Sequence, residues 1–428
     1  MDSKGTKFTT DFDYLRYTTD ASQKFDNTVY QPDNSISSES ELLGNLPSRI
    51  DIYSFKTDYS HPLKNGGIIE GGYKASFSKT DNVADYRDVI NGQQVQNPNM
   101  SNHFKYDETI NAVYVNFNTN YKRFSFQTGL RLENTDSKGN QLQNGQKFKR
   151  NYTNLFPTVF VQYKVDSIGN NQLVAAYGKR INRPYFQDLN PFISPLDRFT
   201  YYAGNPYLNP AFANNYELSY RYKGYFSTTL SYGETKDDIN ETIEISDGIY
   251  YSRPGNTGKS QVYSINFTAD IPIVKWWKAN FYSEITHSKY KSQLYTEDLD
   301  TSGTYWYFSA NHSFNFSKNW SGEIGGNYQT DVVSAQFIIG ARGSVNIGAK
   351  TKILQGNGSL RFSVNDVFYG GIVNGTINNL RLTDATWVNK RDSRFAAITF
   401  TYSFGKAFQS KDQHDASGAD SEKNRVKE

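Results

Sequence analysis

The stretch RINRPYFQDLNPFISPLDRFTYYAGNPYLNPAFANNYELSY covers residues 180–220 and differs in character from the rest of the sequence. It contains five of the twelve prolines, at positions 184, 191, 195, 206 and 210. Proline lacks a backbone N–H and fixes φ, so a segment this rich in proline cannot be a strand inside a sheet. Long connections are usually functional or disordered. We therefore predict a long, shaped loop set between strands.

On both sides of this loop, apolar and polar residues alternate with a period of two. The clearest case is 397–404, where Ile398, Phe400, Tyr402 and Phe404 are separated by small or polar residues. A strand places alternating residues on opposite faces, whereas a helix would spread them round its surface. The pattern also occurs at 69–77, 124–132, 263–271 and 308–316. We predict an all-β protein with about 17 strands.

The composition fits a strand wall with one apolar face. Of the 428 residues, 37% are hydrophobic, yet 33 are tyrosine and 29 are phenylalanine. A membrane β-barrel needs apolar side chains only at alternate positions, with aromatic girdles at both interfaces. No run approaches about eighteen consecutive apolar residues, which excludes a helical span. The net charge of +3 is too small to indicate a nucleic-acid partner.

A soluble β-sandwich or β-propeller would show the same alternation, but two features disfavour both. The polar faces carry charged residues such as Glu70, Lys74, Arg131 and Asp270 opposite aromatic ones, which fits a wet lumen behind a lipid-facing surface. The predicted connections also alternate between short and long, as in outer-membrane barrels. Short turns fall near 164–172, 223–226, 272–276 and 317–319, and long connections at 31–47, 79–101, 134–150, 182–213, 291–303 and 370–393.

The proline-rich stretch carries the runs R-x-x-R-P, L-N-P-F, G-N-P-x-L-x-P and Y-E-L-x-Y, with Asp197 between the second and third. These runs resemble the signature of the outer-membrane β-barrel family related to TonB-dependent receptors, as do 360–368 and 394–405. The resemblance implies a transmembrane antiparallel β-barrel of roughly 22 strands that encloses a plug.

The domain organisation follows from this resemblance together with the strand count. Residues 1–405 are expected to be an incomplete barrel that lacks the plug, the TonB box and roughly five strands. Residues 1–5 contain no apolar signal core. An odd strand count with a periplasmic C-terminus would start the chain on the outer side. Residues 406–428 are charged and are expected to form a disordered tail.

The candidate site residues lie in and after the signature loop. The resemblance implies that Glu217, which alternation places on the lumenal face, pairs with arginines on the plug; an ion pair with Arg221 is the alternative. We expect Arg180 and Arg183 to hold the loop through carbonyl groups or Asp197. We interpret Asn190-Pro191 and Asn205-Pro206 as turn initiators. The predicted signature-loop and plug-contact set is Arg180, Arg183, Pro184, Asn190, Pro191, Asp197, Gly204, Asn205, Pro206 and Glu217.

The five tryptophans lie beside predicted turns, where interfacial belts are expected. Trp276, Trp277 and Trp320 lie beside short turns, and Trp306 and Trp387 lie beside long connections. We predict that all five belong to the two girdles.

Enzymatic chemistry is not indicated. The sequence has no zinc-site spacing of histidines, no phosphate-binding or dinucleotide motif and no G-x-S-x-G run. The acidic runs 237–238 and 297–300 could take up Ca²⁺, but we interpret both as solvated charge. Lys147, Lys149 and Arg150 are interpreted as a solvated basic patch. We expect no catalytic residue, no metal site and no cofactor.

We expect a receptor for TonB-dependent uptake of a nutrient or chelate, located in the outer membrane of a Gram-negative cell. Its partners would be outer-membrane lipid, a TonB-type energy-coupling protein acting through the missing N-terminal part, and an unknown small-molecule, peptide or glycan ligand. A nucleic-acid partner is not expected. The alternatives are a passive porin-like channel and a surface binding or assembly scaffold.

Overall fold

The computed structural model describes residues 5–64, 66–246, 248–294, 297–380, 383–405 and 418–427. One antiparallel sheet of 17 strands dominates it, which confirms the predicted fold class and strand count. The first strands are β1 (Lys7–Tyr30), β2 (Ile36–Pro62), β3 (Ile68–Ile90), β4 (Gln93–Gln96), β5 (Asn102–Tyr121), β6 (Phe124–Gln141), β7 (Lys147–Lys164), β8 (Asn171–Asn182), β9 (Ile193–Pro195), β10 (Thr200–Ala203), β11 (Ala211–Tyr222), β12 (Phe226–Lys236) and β13 (Ile239–Ser246).

The second half of the chain continues the same pattern. Its strands are β14 (Ile249–Asn256), β15 (Lys259–Val274), β16 (Trp277–Leu294), β17 (Glu297–Asn315), β18 (Trp320–Gln329), β19 (Val332–Ser334), β20 (Phe337–Ile339), β21 (Arg342–Ile353), β22 (Gly358–Asn365), β23 (Val373–Leu380), β24 (Thr383–Asn389) and β25 (Phe395–Tyr402). Short 3₁₀ helices lie at Gln187–Leu189 and Leu354–Gly356, and helix α1 is Asp420–Lys423. Among the described residues, no helix is long and apolar enough to cross a membrane.

Sixteen long strands form the wall, and each pairs with the next one along it from β1 to β25. These wall strands are β1, β2, β3, β5, β6, β7, β8, β11, β12, β15, β16, β17, β18, β21, β22 and β25. The seventeenth, β4, is a four-residue strand that pairs with the end of β3 inside a connection. The wall count is therefore even, so the first wall strand begins at the end where the last one finishes. The prediction that the chain starts on the outer side is wrong, because it rested on an odd number of crossing strands and sixteen cross.

The wall has two open edges. Within the described part of the chain, β1 pairs with β2 alone and β25 with β22 alone, so no ladder joins β25 to β1. Large apolar side chains on both edge strands are exposed, including Phe8 and Phe12 on β1 and Phe400 on β25. An unpaired strand edge is a template for further pairing, which a closed barrel removes.

The alternation predicted from the sequence is present in the burial of the wall strands. Along β3 and β5, even-numbered residues face inward and odd-numbered ones outward, because successive side chains point to opposite faces. The buried residues of the two strands include Ser76, Ser78, Thr80, Asn82, Ala84, Tyr86, Phe104, Tyr106, Glu108, Ile110 and Ala112. The inner face therefore carries the core and the buried charges.

Several segments predicted as long connections are strands. β1 and β2 contain 24 and 27 residues and meet at a turn at 31–35, whereas roughly ten residues cross a bilayer. The predicted connections 31–47, 79–101, 134–150 and 291–303 consist largely of strand that extends past the membrane-crossing length. These extensions lack a lipid-facing apolar row, so the sequence pattern does not show them as strands.

The remaining long connections carry small sheets of their own. One sheet has the order β13-β14-β10-β9, and another has the order β19-β20-β23-β24. The second sheet encloses a small core of Leu299, Ala335 and Ile377, against which Phe337 and Trp387 pack. Both sheets lie at the end of the wall opposite the short turns.

The C-terminal tail differs from the prediction where the structure describes it. Residues 406–417 of the expected disordered tail lie outside the described residues. Residues 418–427 are ordered instead: they include α1, and Glu422 and Arg425 are buried against the inner face of the wall. Their charges find partners far away in the sequence, which a composition-based prediction of disorder cannot detect.

Candidate functional site: the signature loop in the lumen

The loop between β8 and β11, residues 183–210 and hereafter the signature loop, folds inward and packs on the wall. Phe186, Leu189 and Leu208 are each at most 2% exposed. They join a core with inward-facing side chains of β2 and β5, namely Ile50, Ile52, Phe104 and Tyr106. Removing this apolar surface from water fixes the loop in place. The loop predicted from its prolines is therefore a folded element of the lumen.

Two backbone segments of the signature loop cross at Gly204. A Cβ atom on Gly204 would overlap the carbonyl oxygen of Asn190 and lie 2.8 Å from that of Asp188. The next residue, Asn205, donates its N–H to the Asp188 carbonyl at 2.6 Å. The Asn205 side chain accepts the N–H of Tyr207 at 2.9 Å. Asn205 thus forms a turn with Pro206, as predicted, and glycine at 204 lets the segments touch.

Arg183 at the start of the loop forms a buried ion pair with the wall. Its Nη2 lies 2.7 Å from Oε2 of Glu133 and 3.0 Å from Oγ1 of Thr135, both on β6. Burial opposes the charge on Arg183, but Tyr152 and the carboxylates of Glu133 and Glu108 outweigh it and raise the pKa of Arg183. Arg183 therefore anchors the loop, but it does so through Glu133 and Thr135 and not through the carbonyl groups or Asp197 named in the prediction.

The partners of the other predicted loop residues are local. Asp197 accepts the N–H of Phe199 at 2.7 Å, and among the described residues it contacts neither Arg180 nor Arg183, so this predicted bridge is absent. The N–H of Asn190 donates to the Gln187 carbonyl at 3.1 Å where the 3₁₀ helix ends, just before Pro191. The Oδ1 atom of Asn190 is buried without a hydrogen-bond partner.

A loop anchor that the sequence reasoning missed is Arg150, on β7. It donates Nη1 to the Leu208 carbonyl and Nη2 to the Pro206 carbonyl, the second at 3.3 Å. Its guanidinium also lies 5.3 Å from the ring centre of Phe148. The interpretation of Arg150 as solvated charge is wrong. The sequence offered no signal for this role, because the acceptors are backbone carbonyls 56 and 58 residues away.

Glu217 faces the lumen, as its parity against Tyr216 and Leu218 predicts. It lines an open cavity of ≈ 740 Å³ together with Lys56, Lys74, Arg131, Arg180, Glu133 and Glu422. Within the described ranges, Glu217 forms no ion pair with Arg221. The cavity thus brings Arg180 and Glu217 to one charged surface, beside the anchored Arg183.

The tryptophans divide into four on the wall and one away from it. Trp276, Trp277 and Trp320 lie at the short-turn end, where Trp276 also contacts Phe314 and Phe316. Trp306 lies nearer the long connections and donates Nε1 to Ser283 at 2.9 Å. Trp387 instead packs edge-on against Phe337, with ring centres 5.8 Å apart, in the sheet of the long connections. Its place in a girdle therefore stays a prediction, and its ring partner belongs to that sheet and not to the wall.

A row of tyrosines that the sequence analysis did not single out crosses the outer face of the wall. Tyr177, Tyr216, Tyr232 and Tyr263 lie on neighbouring strands, with successive ring centres 4.9, 6.0 and 4.8 Å apart. A contiguous aromatic band on the outer face is typical of a membrane-interface girdle. The sequence indicated this row, because tyrosine occurs at an outward-facing position in each of these successive strands.

Comparison with known proteins places this fold. The model of the outer membrane protein β-barrel family matches residues 1–402. The structure is similar to the ferric yersiniabactin uptake receptor FyuA from Yersinia pestis, with 13% identity, 94% of this chain covered and a TM-score of 0.60. It is also similar to the copper transporter OprC, with 12% identity, 93% of this chain covered and a TM-score of 0.62. For the ferric-catecholate import receptor Fiu from K12 E. coli, the identity is 11%, 93% of this chain is covered and the TM-score is 0.63.

The chain spans 62% of FyuA, 65% of OprC and 62% of Fiu. A comparison with curated proteins gives no significant match. The solved structures share too little sequence with this chain to show more than the fold, but the family model covers almost all of it. The chain therefore lies in the outer membrane, shares its fold with FyuA, OprC and Fiu, and belongs to the outer membrane protein β-barrel family.

Proposed function

We propose that the chain is the barrel part of a TonB-dependent receptor that imports a nutrient or a metal chelate. The observation that carries this proposal is the signature loop, which occupies the lumen and is tied to the wall by the buried pair of Arg183 and Glu133. A passive pore needs an open lumen, whereas a gated receptor needs a shaped one that holds a plug.

The receptor as a whole is larger than this chain in our proposal. The open edges of β1 and β25 support additional strands that close the barrel. The chain also spans 65% or less of the three receptors and transporters compared above. We place the plug, the coupling box for a TonB-type protein and the closing strands in an N-terminal portion, so that residues 1–405 form an incomplete barrel.

Within this proposal, Glu217 is the plug contact. It lies on the cavity wall near Arg180 and forms no ion pair with Arg221 among the described residues, so its carboxylate is available to an arginine from the plug. Arg180 would line the same contact, while Arg183 and Asn205 hold the loop that frames it. Glu217→Gln keeps the shape of the side chain and removes its charge.

The ligand class is proposed from two considerations. The long connections carry folded sheets with exposed or half-buried tyrosines, such as Tyr201 and Tyr251, whose ring centres lie 5.8 Å apart. Aromatic and amide side chains of this kind suit a chelate, a peptide or a glycan. FyuA and Fiu are named for ferric chelates and OprC for copper, so we propose metal chelates as the first ligands to test.

The experiment is uptake with and without an energised inner membrane. Cells that carry or lack the gene are supplied with ferric and copper chelates as scarce metal sources, and metal uptake is measured before and after a protonophore. Gene-dependent uptake that the protonophore abolishes supports the proposal. Ion conductance of the purified protein in a planar bilayer without any coupling protein would support a passive channel instead. Binding of a protein partner without any growth defect would support a scaffold.

A sequence reading complements the uptake test. The coding region upstream of Met1 should encode a signal peptide, a plug and further strands in frame. If the region lacks all three, the proposed receptor is wrong for this chain.

A further inference from the structure

The segment Gly418–Lys427 lies in the lumen of the barrel and contacts both the wall and the signature loop. We propose that this segment is an internal ligand of the barrel, which docks in cis and straps the signature loop to strands β3 and β5. This docking is independent of what the receptor transports and of how transport is energised.

Arg425 is the centre of the docking site. The residue is 7% exposed. Its Nη1 donates to Glu108 Oε1, and its Nη2 lies 3.3 Å from Glu108 Oε2. Its Nε donates to the Pro184 carbonyl at 3.0 Å. The guanidinium also lies 4.2 Å from the ring centre of Phe186. A carboxylate, a carbonyl and an aromatic face together suit a guanidinium better than an ammonium. One residue thus joins β5 to the signature loop.

Backbone and amide contacts continue the docking on the signature loop. The N–H of Phe186 donates to the Arg425 carbonyl at 3.0 Å. The Gln187 side chain accepts the N–H of Lys427 at 3.0 Å and donates to its carbonyl at 3.1 Å. The ammonium of Lys427 pairs with Asp188. These paired contacts fix the register of the segment along the loop.

The other end of the segment carries the opposite charge and meets a cation on the wall. Glu422, 2% exposed, lies 2.8 Å from Nζ of Lys74 and accepts the hydroxyl of Ser76 at 2.9 Å, both on β3. Ala419 packs in the same core as Phe186 and Ile52. Burying one charged group without its partner is costly, so this match of charges disfavours other registers.

The covalent chain permits docking in cis. Gly405 ends the described part of the wall and Gly418 begins the segment, with twelve residues between them. Twelve residues span at most roughly 40 Å. Gly418 lies beside Asp13 and Ser54, six residues along β1 from Lys7, which is roughly 20 Å of strand from the short-turn end. The connection is therefore about twice as long as the rise along the wall that docking requires.

Disulfide cross-linking can test the docking without competing native thiols, because the protein has no cysteine. The hydroxyls of Ser76 and Ser421 both donate to Oε1 of Glu422, at 2.9 and 3.1 Å. The protein, produced from its complete gene in outer membranes, carries Ser76→Cys with Ser421→Cys and is mildly oxidised. We expect a reducible, faster-migrating monomer band. The matched control combines Ser421→Cys with Ser309→Cys, on the inward-facing parity of distant β17, and should give roughly tenfold less bridged product.

A charge exchange tests the contact between Lys427 and Asp188. In the Ser76→Cys and Ser421→Cys background, Lys427→Glu should lower the bridged fraction severalfold, and Asp188→Lys with Lys427→Glu should restore it. Three results would each overturn the proposal. The first is equal bridging of position 421 to positions 76 and 309, and the second is bridging only between chains. The third is the absence of any bridge in protein that is folded, as its heat-modifiable migration shows. A Lys427→Glu variant that bridges as well as its parent would overturn it too. Uptake is not measured, so failure of the proposed function leaves these outcomes unchanged.

Discussion

Nη2 of Arg183 lies 2.7 Å from Oε2 of Glu133, and both side chains are about nine-tenths buried. The two residues are 50 positions apart, so the pair ties the first residue of the signature loop to the middle of β6. Glu133 also lies 2.6 Å from Nε of Arg131 through its other oxygen. The loop is thus held by a small buried charge network in addition to its apolar core.

Removing one member of this network should destabilise the protein strongly. Arg183→Met keeps the length of the side chain but leaves the buried Glu133 carboxylate with Arg131 as its remaining cation. This should lower the free energy of unfolding by about 3 kcal/mol. The urea midpoint of the purified protein in detergent should fall accordingly. The matched control is Arg361→Met, because Arg361 pairs with Glu323 but both are about half exposed; its effect should be below about 1 kcal/mol. Similar losses in the two variants would contradict the network.

Gly204 should tolerate no side chain. Gly204→Ala brings a Cβ into the Asn190 carbonyl, a backbone atom that cannot rotate away, so the crossing must open at a cost of about 1–3 kcal/mol. We expect faster trypsin cleavage at Arg198, which is exposed in the same loop.

The control for this variant is Gly71→Ala on β3, where the nearest atom to an added Cβ is the Tyr114 carbonyl at 3.6 Å. That distance is an ordinary van der Waals contact, so cleavage at Arg198 should match the wild-type rate. A Gly204→Ala protein that resists trypsin as the wild type does would show that the crossing is not needed.

The sequence predicted the wall because alternation is a local property. Residues 397–404 form β25 almost as predicted, since one face of this strand must be apolar along its whole length. Parity also placed Glu217 on the lumenal face correctly. Alternation could not mark the ends of β1 and β2, because beyond the membrane both faces of a strand meet water. Polar strand and polar loop then have the same composition.

The partners of the signature loop could not be predicted, because they depend on contacts between distant parts of the chain. Arg425 finds Glu108 across 317 residues, and no local pattern distinguishes that arginine from the other charges of the tail. Trp387 lies beside a long connection, as an interfacial tryptophan would. Its place in a separate core is decided by Phe337 and Ile377, which come together only when β20 and β23 pair.

Asp166 should control the turn at 165–170 in a pH-dependent way. The Asn171 side chain and the N–H groups of residues 168, 170 and 171 donate to its carboxylate, and these bonds lower the pKa of Asp166 from 3.8 to about 2. A lowered folded-state pKa means that the stabilisation is present above pH 3.8 and is lost as the pH falls toward 2. The turn should therefore loosen only in strong acid.

The test compares the wild type with Asp166→Asn by thermal unfolding in detergent at pH 7, 4.5 and 2.5. The variant should unfold at a lower temperature at pH 7 and 4.5, by the same margin at both. At pH 2.5 the margin should shrink, because Asp166 is then protonated in the unfolded chain, and the charged form no longer favours the folded state as strongly. A margin that stays constant down to pH 2.5 would show that the charge of Asp166 does not hold the turn.

Lipid contact should separate Trp306 from Trp387, although both were predicted from the sequence to lie in a girdle. Trp306 is on the outer face of β17, next to Tyr328, whereas Trp387 packs on Phe337 away from the wall. We expect brominated lipid to quench the fluorescence of a variant that keeps only Trp306, because bromine quenches indole at short range in the bilayer. A variant that keeps only Trp387, with phenylalanine at the other four positions, should retain its fluorescence in the same liposomes. Equal quenching of the two variants would contradict this prediction. It would show that the sheet of β19, β20, β23 and β24 lies at the depth of the membrane and that less of the wall extends beyond the bilayer than the strand lengths indicate.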